Sequence, residues 1–245
     1  MNIKSKQAVI DCHCHIGTSE DGGTISLDEI NIILNDYPVE KLVIFPIDEA
    51  IRGKTYEPQN TKIASLARHD PKIIPFGRID PNDMQAAQQE LDRFQDLGIR
   101  GIKLHPISDN FLPQHVSFIF KHAAKKCLPI YLHTTHSTFR EQKEDWCRLF
   151  QLTDTPIIIA HSGKDSYRAF IKIANKFPHI YADTTTLSFF RTKKVLHGLN
   201  IEKILYGSDL PYSHPAIEQI KYKLLLSEND QHLVFYQNAV KVLQL

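Results

Sequence analysis

The stretch that decides the fold is the eight-residue run Ala8-Val9-Ile10-Asp11-Cys12-His13-Cys14-His15. Its apolar start predicts a buried β-strand, and alternate residues of a strand point to the same face. We therefore expect His13 and His15 to project together. Cys12 and Cys14 are expected on the other face, which argues against a zinc site made of thiolates and imidazoles. Two imidazoles one pleat apart can bind one divalent ion, because neutral histidine nitrogen is a favoured ligand of zinc and related metals.

Composition narrows the class of protein around this strand. The chain has 245 residues, of which 42% are hydrophobic, so it can bury a substantial core; α/β barrels often occupy about 250 residues as one domain. The net charge of +1 favours neither nucleic-acid nor membrane-surface binding. No apolar run reaches the ~20 residues of a transmembrane helix. Four cysteines do not form a disulfide framework in a chain this long, so we expect a reduced, cytoplasmic protein.

Apolar strand-like runs alternate with amphipathic helical segments along the chain. After the first strand, the predicted strands lie at residues 41–46, 73–79, 101–106, 128–133, 156–161, 179–183 and 203–209. A helix follows each strand, and the clearest begins at Asn82 or Asp83 and ends before Gly98. Alternation of this kind favours a parallel sheet, and eight such units predict an α/β fold of the (β/α)8 TIM-barrel type. We find no linker, and predict a single domain over residues 1–245.

Titratable side chains stand at the carboxyl ends of these predicted strands. They are His13, His15, His105, His133, His161 and Asp209. In an α/β barrel these strand ends line the active site. Any one of them taken alone is better explained as a core or rim residue, but their joint placement predicts a metal-binding catalytic centre.

Five short motifs carry a resemblance to a known family. They are the stretch ending in His15, Gly101-Ile102-Lys103-Leu104-His105-Pro106, Pro129-Ile130-Tyr131-Leu132-His133, Ile158-Ile159-Ala160-His161-Ser162-Gly163 and Tyr206-Gly207-Ser208-Asp209-Leu210-Pro211. With these motifs in this order, the chain resembles the amidohydrolase superfamily, and within it the amidohydrolase-2 group that includes aminocarboxymuconate semialdehyde decarboxylase. The resemblance is specific for the superfamily and says nothing about the substrate.

The resemblance implies a role for each matched residue. The implied metal ligands are His13, His15, His133 and Asp209. Asp209 would also take a proton from the metal-activated water, and His161 would polarise the substrate or help to move the proton. One divalent ion is implied, with zinc as the default and manganese, iron or nickel as alternatives. A two-metal site, with a carboxylated Lys103 and His161 among its ligands, is the less favoured alternative.

Three further residues are predicted substrate contacts: Lys103, His105 and Arg78. Lys103 lies one layer below His105 on the same strand face, and an unpaired ammonium is expensive to bury. We therefore expect Lys103 to pair with a carboxylate such as Asp11. Arg78 suits bidentate binding of a substrate carboxylate, and the alternative is an Arg78–Asp80 pair that holds a loop.

The expected function is a metal-dependent hydrolase that acts on an amide, lactone or related C–O or C–N bond of a small organic substrate. A non-oxidative decarboxylase of a small carboxylic acid, on the same site, is the first alternative. A TatD-like nuclease is the second, although this chain lacks that family's Gly-Glu-Ile-Gly-Leu-Asp motif. A non-catalytic barrel that binds a ligand is the third. We expect no nucleic-acid or membrane partner. We expect a homodimer, because dimers are the commonest oligomers of soluble proteins.

Overall fold

Nine strands form one sheet in this computed structural model, which describes residues 8–19, 22–47, 55–135 and 138–245. Eight of the strands are parallel and follow one another in chain order: β1 (Ile10–Thr18), β3 (Lys41–Pro46), β4 (Ile73–Arg78), β5 (Gly101–Leu104), β6 (Ile130–Leu132), β7 (Ile157–Ile159), β8 (Ile180–Asp183) and β9 (Ile204–Leu205). The ninth, β2 (Thr24–Ile25), pairs antiparallel with the end of β1.

Backbone hydrogen bonds join the last strand to the first and close the sheet. The Cys12 N–H donates to the Tyr206 carbonyl at 2.9 Å, and the Asp209 N–H donates to the His13 carbonyl at 2.7 Å. Since the eight parallel strands are arranged in chain order around this closure, the fold is the predicted (β/α)8 barrel. The same bonds place Asp209 beside the end of β1.

Helices occupy the connections between the strands. Those in the described ranges are α1 (Leu27–Asp36), α2 (Glu57–His69), α3 (Met84–Leu97), α4 (Ser117–Lys126), α5 (Lys143–Phe150), α6 (Tyr167–Lys176), α7 (Phe189–Gly198), α8 (Pro215–Leu225), α9 (Glu228–His232) and α10 (Asn238–Leu243). Helix α3 shows the predicted signals, because the Asp83 side chain caps its start and Gly98, with φ of 74°, ends it. None of the described helices has both the length and the apolar character that crossing a membrane would require.

Alternation along the strands separates two apolar layers. Val43, Phe45 and Ile158 belong to the cluster that fills the barrel interior. Neighbouring residues such as Ile44 and Ile159 pack in the clusters between the strands and the helices. The strands are therefore apolar on both faces, as expected of a parallel sheet covered by helices, and the buried polar groups concentrate at the strand ends.

A bulge in β1 corrects the alternation predicted for this strand. Asp11 pairs with Leu42 and Cys14 pairs with Ile44, so three steps along β1 match two steps along β3. Cys12 consequently packs inside the barrel, whereas strict alternation placed it on the helix side. Asp11 lies on the same side of the sheet as Leu42, toward the helices.

Candidate metal centre

The carboxyl ends of the barrel strands bring three buried side chains together. His13, His161 and Asp209 each offer a ligand atom within 4.8 Å of the others. In the described part of the chain, these three residues form the one group of at least three side chains that could hold a metal ion. His13 Nε2 lies 3.1 Å from Asp209 Oδ1, and His161 Nδ1 lies 3.8 Å from Asp209 Oδ2. Two predicted ligands, His13 and Asp209, thus lie beside His161, which was predicted to polarise the substrate or help to move the proton.

His15 completes what we call the histidine–aspartate cluster, defined as His13, His15, His161 and Asp209. Its Nε2 lies 3.0 Å from His13 Nε2 and 3.3 Å from Asp209 Oδ1. His13 and His15 therefore point into the same site, as the sequence predicted. His133 is placed differently from the other predicted ligands, because its Nδ1 touches the cluster through His161 Nε2, at 3.3 Å.

Two members of the cluster sit in left-handed backbone conformations. The φ angles of His161 and Asp209 are 58° and 60°. The left-handed run continues from His161 through Ser162, Gly163 and Lys164, at φ angles of 45°, 78° and 47°. Side-chain-bearing residues rarely adopt this region, and such strain persists only where surrounding contacts hold it. The turn that carries His161 must therefore be held from outside.

Asp183, at the end of β8, supplies much of that support. Its Oδ2 lies 2.8 Å from His13 Nδ1 and also accepts the Tyr131 hydroxyl. Its Oδ1 accepts the His161 N–H at 3.1 Å and the Thr185 N–H at 2.9 Å. Asp183 was not among the predicted site residues, although it shows the same signal as the others, a titratable side chain that ends an apolar strand.

Burial sets the charge states in the cluster. It lowers the pKa of His15 to about 3 and the pKa of His161 to about 4, although the nearby Asp209 carboxylate opposes both shifts. Burial alone would raise the pKa of Asp209, but His13 and His161 outweigh it and hold that pKa below its usual range. At neutral pH the cluster therefore combines neutral His15 and His161 with an ionised carboxylate, which are the forms that bind metal ions.

The donor set fits a divalent ion. Two imidazole nitrogens, from His13 and His15, and one oxygen of Asp209 lie 3.0 to 3.3 Å from one another. Acceptor atoms this close repel unless a proton or a cation lies among them. Imidazole nitrogen with carboxylate oxygen is a ligand combination that zinc, manganese, iron and nickel all accept.

Lys103 lies directly below the cluster. The side chain is 1% exposed, and its ammonium lies 4.4 Å from the Phe45 ring centre, 5.0 Å from that of Tyr131 and 3.5 Å from His13 Nε2. The predicted pair with Asp11 is wrong. Asp11 Oδ1 accepts backbone N–H groups instead, because the β1 bulge places this carboxylate on the helix side of the sheet.

His105 lies beside the cluster at the end of β5. Its ring stacks on the ring of His133 with centres 3.8 Å apart, and its Nδ1 accepts the Ser108 N–H at 3.1 Å. Burial lowers the pKa of both His105 and His133 well below the ordinary value. The contact of His105 with a substrate stays a prediction.

Arg78 pairs with Asp109 and not with Asp80. Its Nη2 donates to Asp109 Oδ1 at 2.8 Å and its Nε donates to Oδ2 at 3.2 Å. The Tyr56 hydroxyl donates to the same carboxylate at 2.5 Å, while Asp80 accepts from Asn82. The bidentate geometry predicted for a substrate carboxylate is therefore made with a protein carboxylate, which a substrate would have to displace.

The chain is similar to known proteins in both sequence and fold. A family profile described as amidohydrolase matches residues 10–245. A search of curated proteins returned no match. Among solved structures, a protein proposed to be a 2-pyrone-4,6-dicarboxylic acid hydrolase, from Pseudomonas putida, aligns with a TM-score of 0.76 at 13% identity, over 97% of this chain and 98% of that chain.

Two decarboxylases align similarly. The 5-carboxyvanillate decarboxylase of Sphingomonas paucimobilis has a TM-score of 0.73 at 13% identity, over 98% of this chain and 99% of that chain. A dihydroxybenzoic acid decarboxylase from Polaromonas sp., with bound manganese and the inhibitor 2-nitroresorcinol, has a TM-score of 0.69 at 14% identity, over 97% of both chains. At these identities the likeness shows a shared fold.

Proposed function

The chain belongs to the amidohydrolase family, whose members are metal-dependent enzymes, and from this membership we propose that it is a hydrolase of a small organic molecule. The bond attacked is an amide, a lactone or a related C–O or C–N bond, and the attacking group is an activated water. The observation that carries the proposal is the convergence of His13, His161 and Asp209 within 4.8 Å at the carboxyl end of the barrel.

The histidine–aspartate cluster is the proposed metal site. His13, His15 and Asp209 would hold the ion, and His133 is the further ligand that the family resemblance implies. A divalent ion bound there supplies Lewis-acid activation of water or of a carbonyl group. We propose zinc first, and manganese as the next metal to test because the Polaromonas decarboxylase holds it.

The chain's own residues handle the proton and the charge. Asp209 is ionised and accepts the proton of the attacking water. His161, neutral at neutral pH because burial lowers its pKa to about 4, polarises the substrate or passes the proton on. The Lys103 ammonium, 3.5 Å from His13 Nε2, adds positive charge below the site, and His105 and Arg78 are the proposed substrate contacts at its rim.

Non-oxidative decarboxylation is the second candidate. The similar folds of the 5-carboxyvanillate and dihydroxybenzoic acid decarboxylases favour it over other rivals. Product analysis separates the two reactions, because a hydrolase releases an acid without loss of carbon and a decarboxylase releases carbon dioxide. The amidohydrolase profile over residues 10–245 argues against the nuclease alternative, and the presence of competent residue types at every matched ligand position argues against a non-catalytic barrel.

The test is the metal content of protein purified without chelator, for wild type, His13→Ala and Asp209→Ala. Glu90→Gln is the matched control, because Glu90 is a buried carboxylate on α3 that hydrogen-bonds Asn60 and Arg93, away from the cluster. We expect about one equivalent of metal in wild type and in the control, and none in the two ligand variants.

Activity screens then follow on lactones, amides and aromatic acids with the loaded protein. Absence of metal after reconstitution with zinc and with manganese would refute the proposal. Two equivalents would support the two-metal alternative with Lys103 and His161 as ligands. The homodimer and the cytoplasmic location stay predictions, and light scattering on the purified protein tests the first.

A further inference from the structure

Asp183 is a buried carboxylate that receives donors from several different parts of the barrel. They are the His13 ring from β1, the Tyr131 hydroxyl from β6, the His161 N–H from the turn after β7, and the N–H and hydroxyl of Thr185. The residue itself is completely buried. Its two oxygens divide these partners, since Oδ2 faces His13 and Tyr131 while Oδ1 faces His161 and Thr185.

We propose that Asp183 is a positioning residue that holds a proton on Nδ1 of His13 and so leaves Nε2 to face the cluster. An ionised carboxylate can only accept hydrogen bonds, so the 2.8 Å contact requires that His13 Nδ1 donates. His13 Nε2 is then the ring nitrogen left to bind a cation, and it lies 3.1 Å from Asp209 Oδ1. Partners of this kind commonly orient metal-binding histidines. The metal side of this proposal rests on the proposed function, whereas the proton on Nδ1 does not.

The other ring nitrogen of His13 has neighbours of both charges. The Lys103 ammonium lies 3.5 Å from His13 Nε2, and Asp209 Oδ1 lies 3.1 Å from the same atom. Asp183 therefore determines the proton on Nδ1, and the cluster determines what Nε2 binds.

The other oxygen of Asp183 connects this ring to the strained turn. Oδ1 accepts the N–H of His161, the first residue of the left-handed run, and the backbone carbonyl of Asp183 accepts the Ser162 hydroxyl. One residue thus orients the ring of His13 and holds the backbone that carries His161. The two imidazoles are set relative to each other by a single side chain.

Substitution by asparagine tests the tautomer because the surroundings dictate how the amide must lie. The His161 and Thr185 N–H groups can only donate, so the amide oxygen of Asp183→Asn must occupy the place of Oδ1. The amide nitrogen then faces His13 Nδ1. To accept from it, His13 must give up the proton on Nδ1 and carry its proton on Nε2, the atom that faces Asp209.

The experiment is long-range nitrogen–proton NMR of metal-free protein with labelled histidine, with the His13 signals assigned from a His13→Gln variant. We expect a proton on His13 Nδ1 in wild type, and a proton on Nε2 alone in Asp183→Asn. Tyr131→Phe removes the other donor to Asp183 Oδ2 and should keep the proton on Nδ1. Zinc affinity, measured by competition with a chromophoric chelator, should fall about 10- to 100-fold in Asp183→Asn and stay unchanged in Glu90→Gln.

Two results overturn the proposal: a His13 that carries no proton on Nδ1 in wild type, or a proton retained on Nδ1 in Asp183→Asn. If Asp183→Asn does not fold, the wild-type spectrum still decides. A wild type that binds no zinc but shows the expected tautomers would refute the proposed function and leave the role of Asp183 standing.

Discussion

Two buried ionic groups lie near the carboxyl end of the same barrel and are built in opposite ways. In the histidine–aspartate cluster, imidazole nitrogens and a carboxylate oxygen face one another at 3.0 to 3.3 Å. In the Arg78–Asp109 pair, two guanidinium donors meet two carboxylate oxygens, so acceptors and donors are matched. Burial of charge therefore does not mark a binding site by itself. Converging acceptors are the better indication, because they repel unless a proton or a cation lies among them.

The largest expected effect comes from neutralising one carboxylate in each region. Asp209→Asn should remove the metal and with it the activity, because the amide gives up the charge that holds the ion. Asp109→Asn should retain the metal, since Asp109 neutralises Arg78 and stands outside the cluster. Elemental analysis of both variants checks this contrast. Equal metal content in the two variants would contradict the assignment of the metal to the histidine–aspartate cluster.

The matched pair should matter for stability instead. Arg78→Met leaves the Asp109 carboxylate buried without its guanidinium, and breaking a buried ion pair in this way costs about 3–5 kcal/mol of unfolding free energy. The double variant Arg78→Met/Asp109→Leu should recover part of the loss, because no charge is left unpaired although the Tyr56 hydroxyl loses its acceptor. Urea unfolding of the metal-free proteins measures both. A double variant as unstable as the single one would contradict the assignment.

The pH dependence of stability sharpens the difference further. His161 has a pKa of about 4 when folded and an ordinary value near 6.5 when unfolded. The unfolded chain therefore binds more protons between these values, and this histidine's contribution, complete above about pH 6.5, is lost as the pH falls toward 4. Replacing His161 by Asn should flatten the stability profile of the metal-free protein by up to about 1.4 kcal/mol per pH unit in that window. An unchanged profile would show that His161 is not buried in its neutral form.

The smallest effect is expected for Tyr56→Phe. This change removes one hydroxyl donor from Asp109 and leaves Arg78 in place. A hydrogen bond to a charged group contributes about 1.5–3 kcal/mol, so we expect a loss near the lower end of that range in urea unfolding. Metal content should not change. A loss as large as that of Arg78→Met would show that the phenol and not the guanidinium sustains the buried carboxylate.

Much of the fold could be predicted because its signals are local. Apolar runs and amphipathic periodicity identified the eight barrel strands, and the bounds of β3 were predicted to the residue. The caps of α3 likewise use residues next to the helix in the chain, the Asp83 side chain at its start and the Gly98 backbone at its end. The two-residue strand β2 was not predicted, since a strand this short has no periodicity of its own.

The candidate site was predicted in part for a related reason. His13, His15, His161 and Asp209 all end apolar strands, and the parallel barrel gathers such ends at one side. Asp109 was missed because its partner Arg78 lies 31 residues away and only the folded loop joins them. The Arg78–Asp80 alternative assumed that the nearest carboxylate in the chain is also the nearest in space.

The sequence alone determined the barrel, the side of the barrel that carries chemistry and the residue types found there, since each of these follows from strand periodicity and from the position of polar residues at strand ends. Tertiary structure decided the rest. The bulge in β1 separated Asp11 from Lys103, and closure of the barrel placed Asp183, at the end of β8, against the His13 ring. Both depend on how strands distant in the chain pair with one another, and a bulge interrupts the alternation from which a strand's faces are read in the sequence.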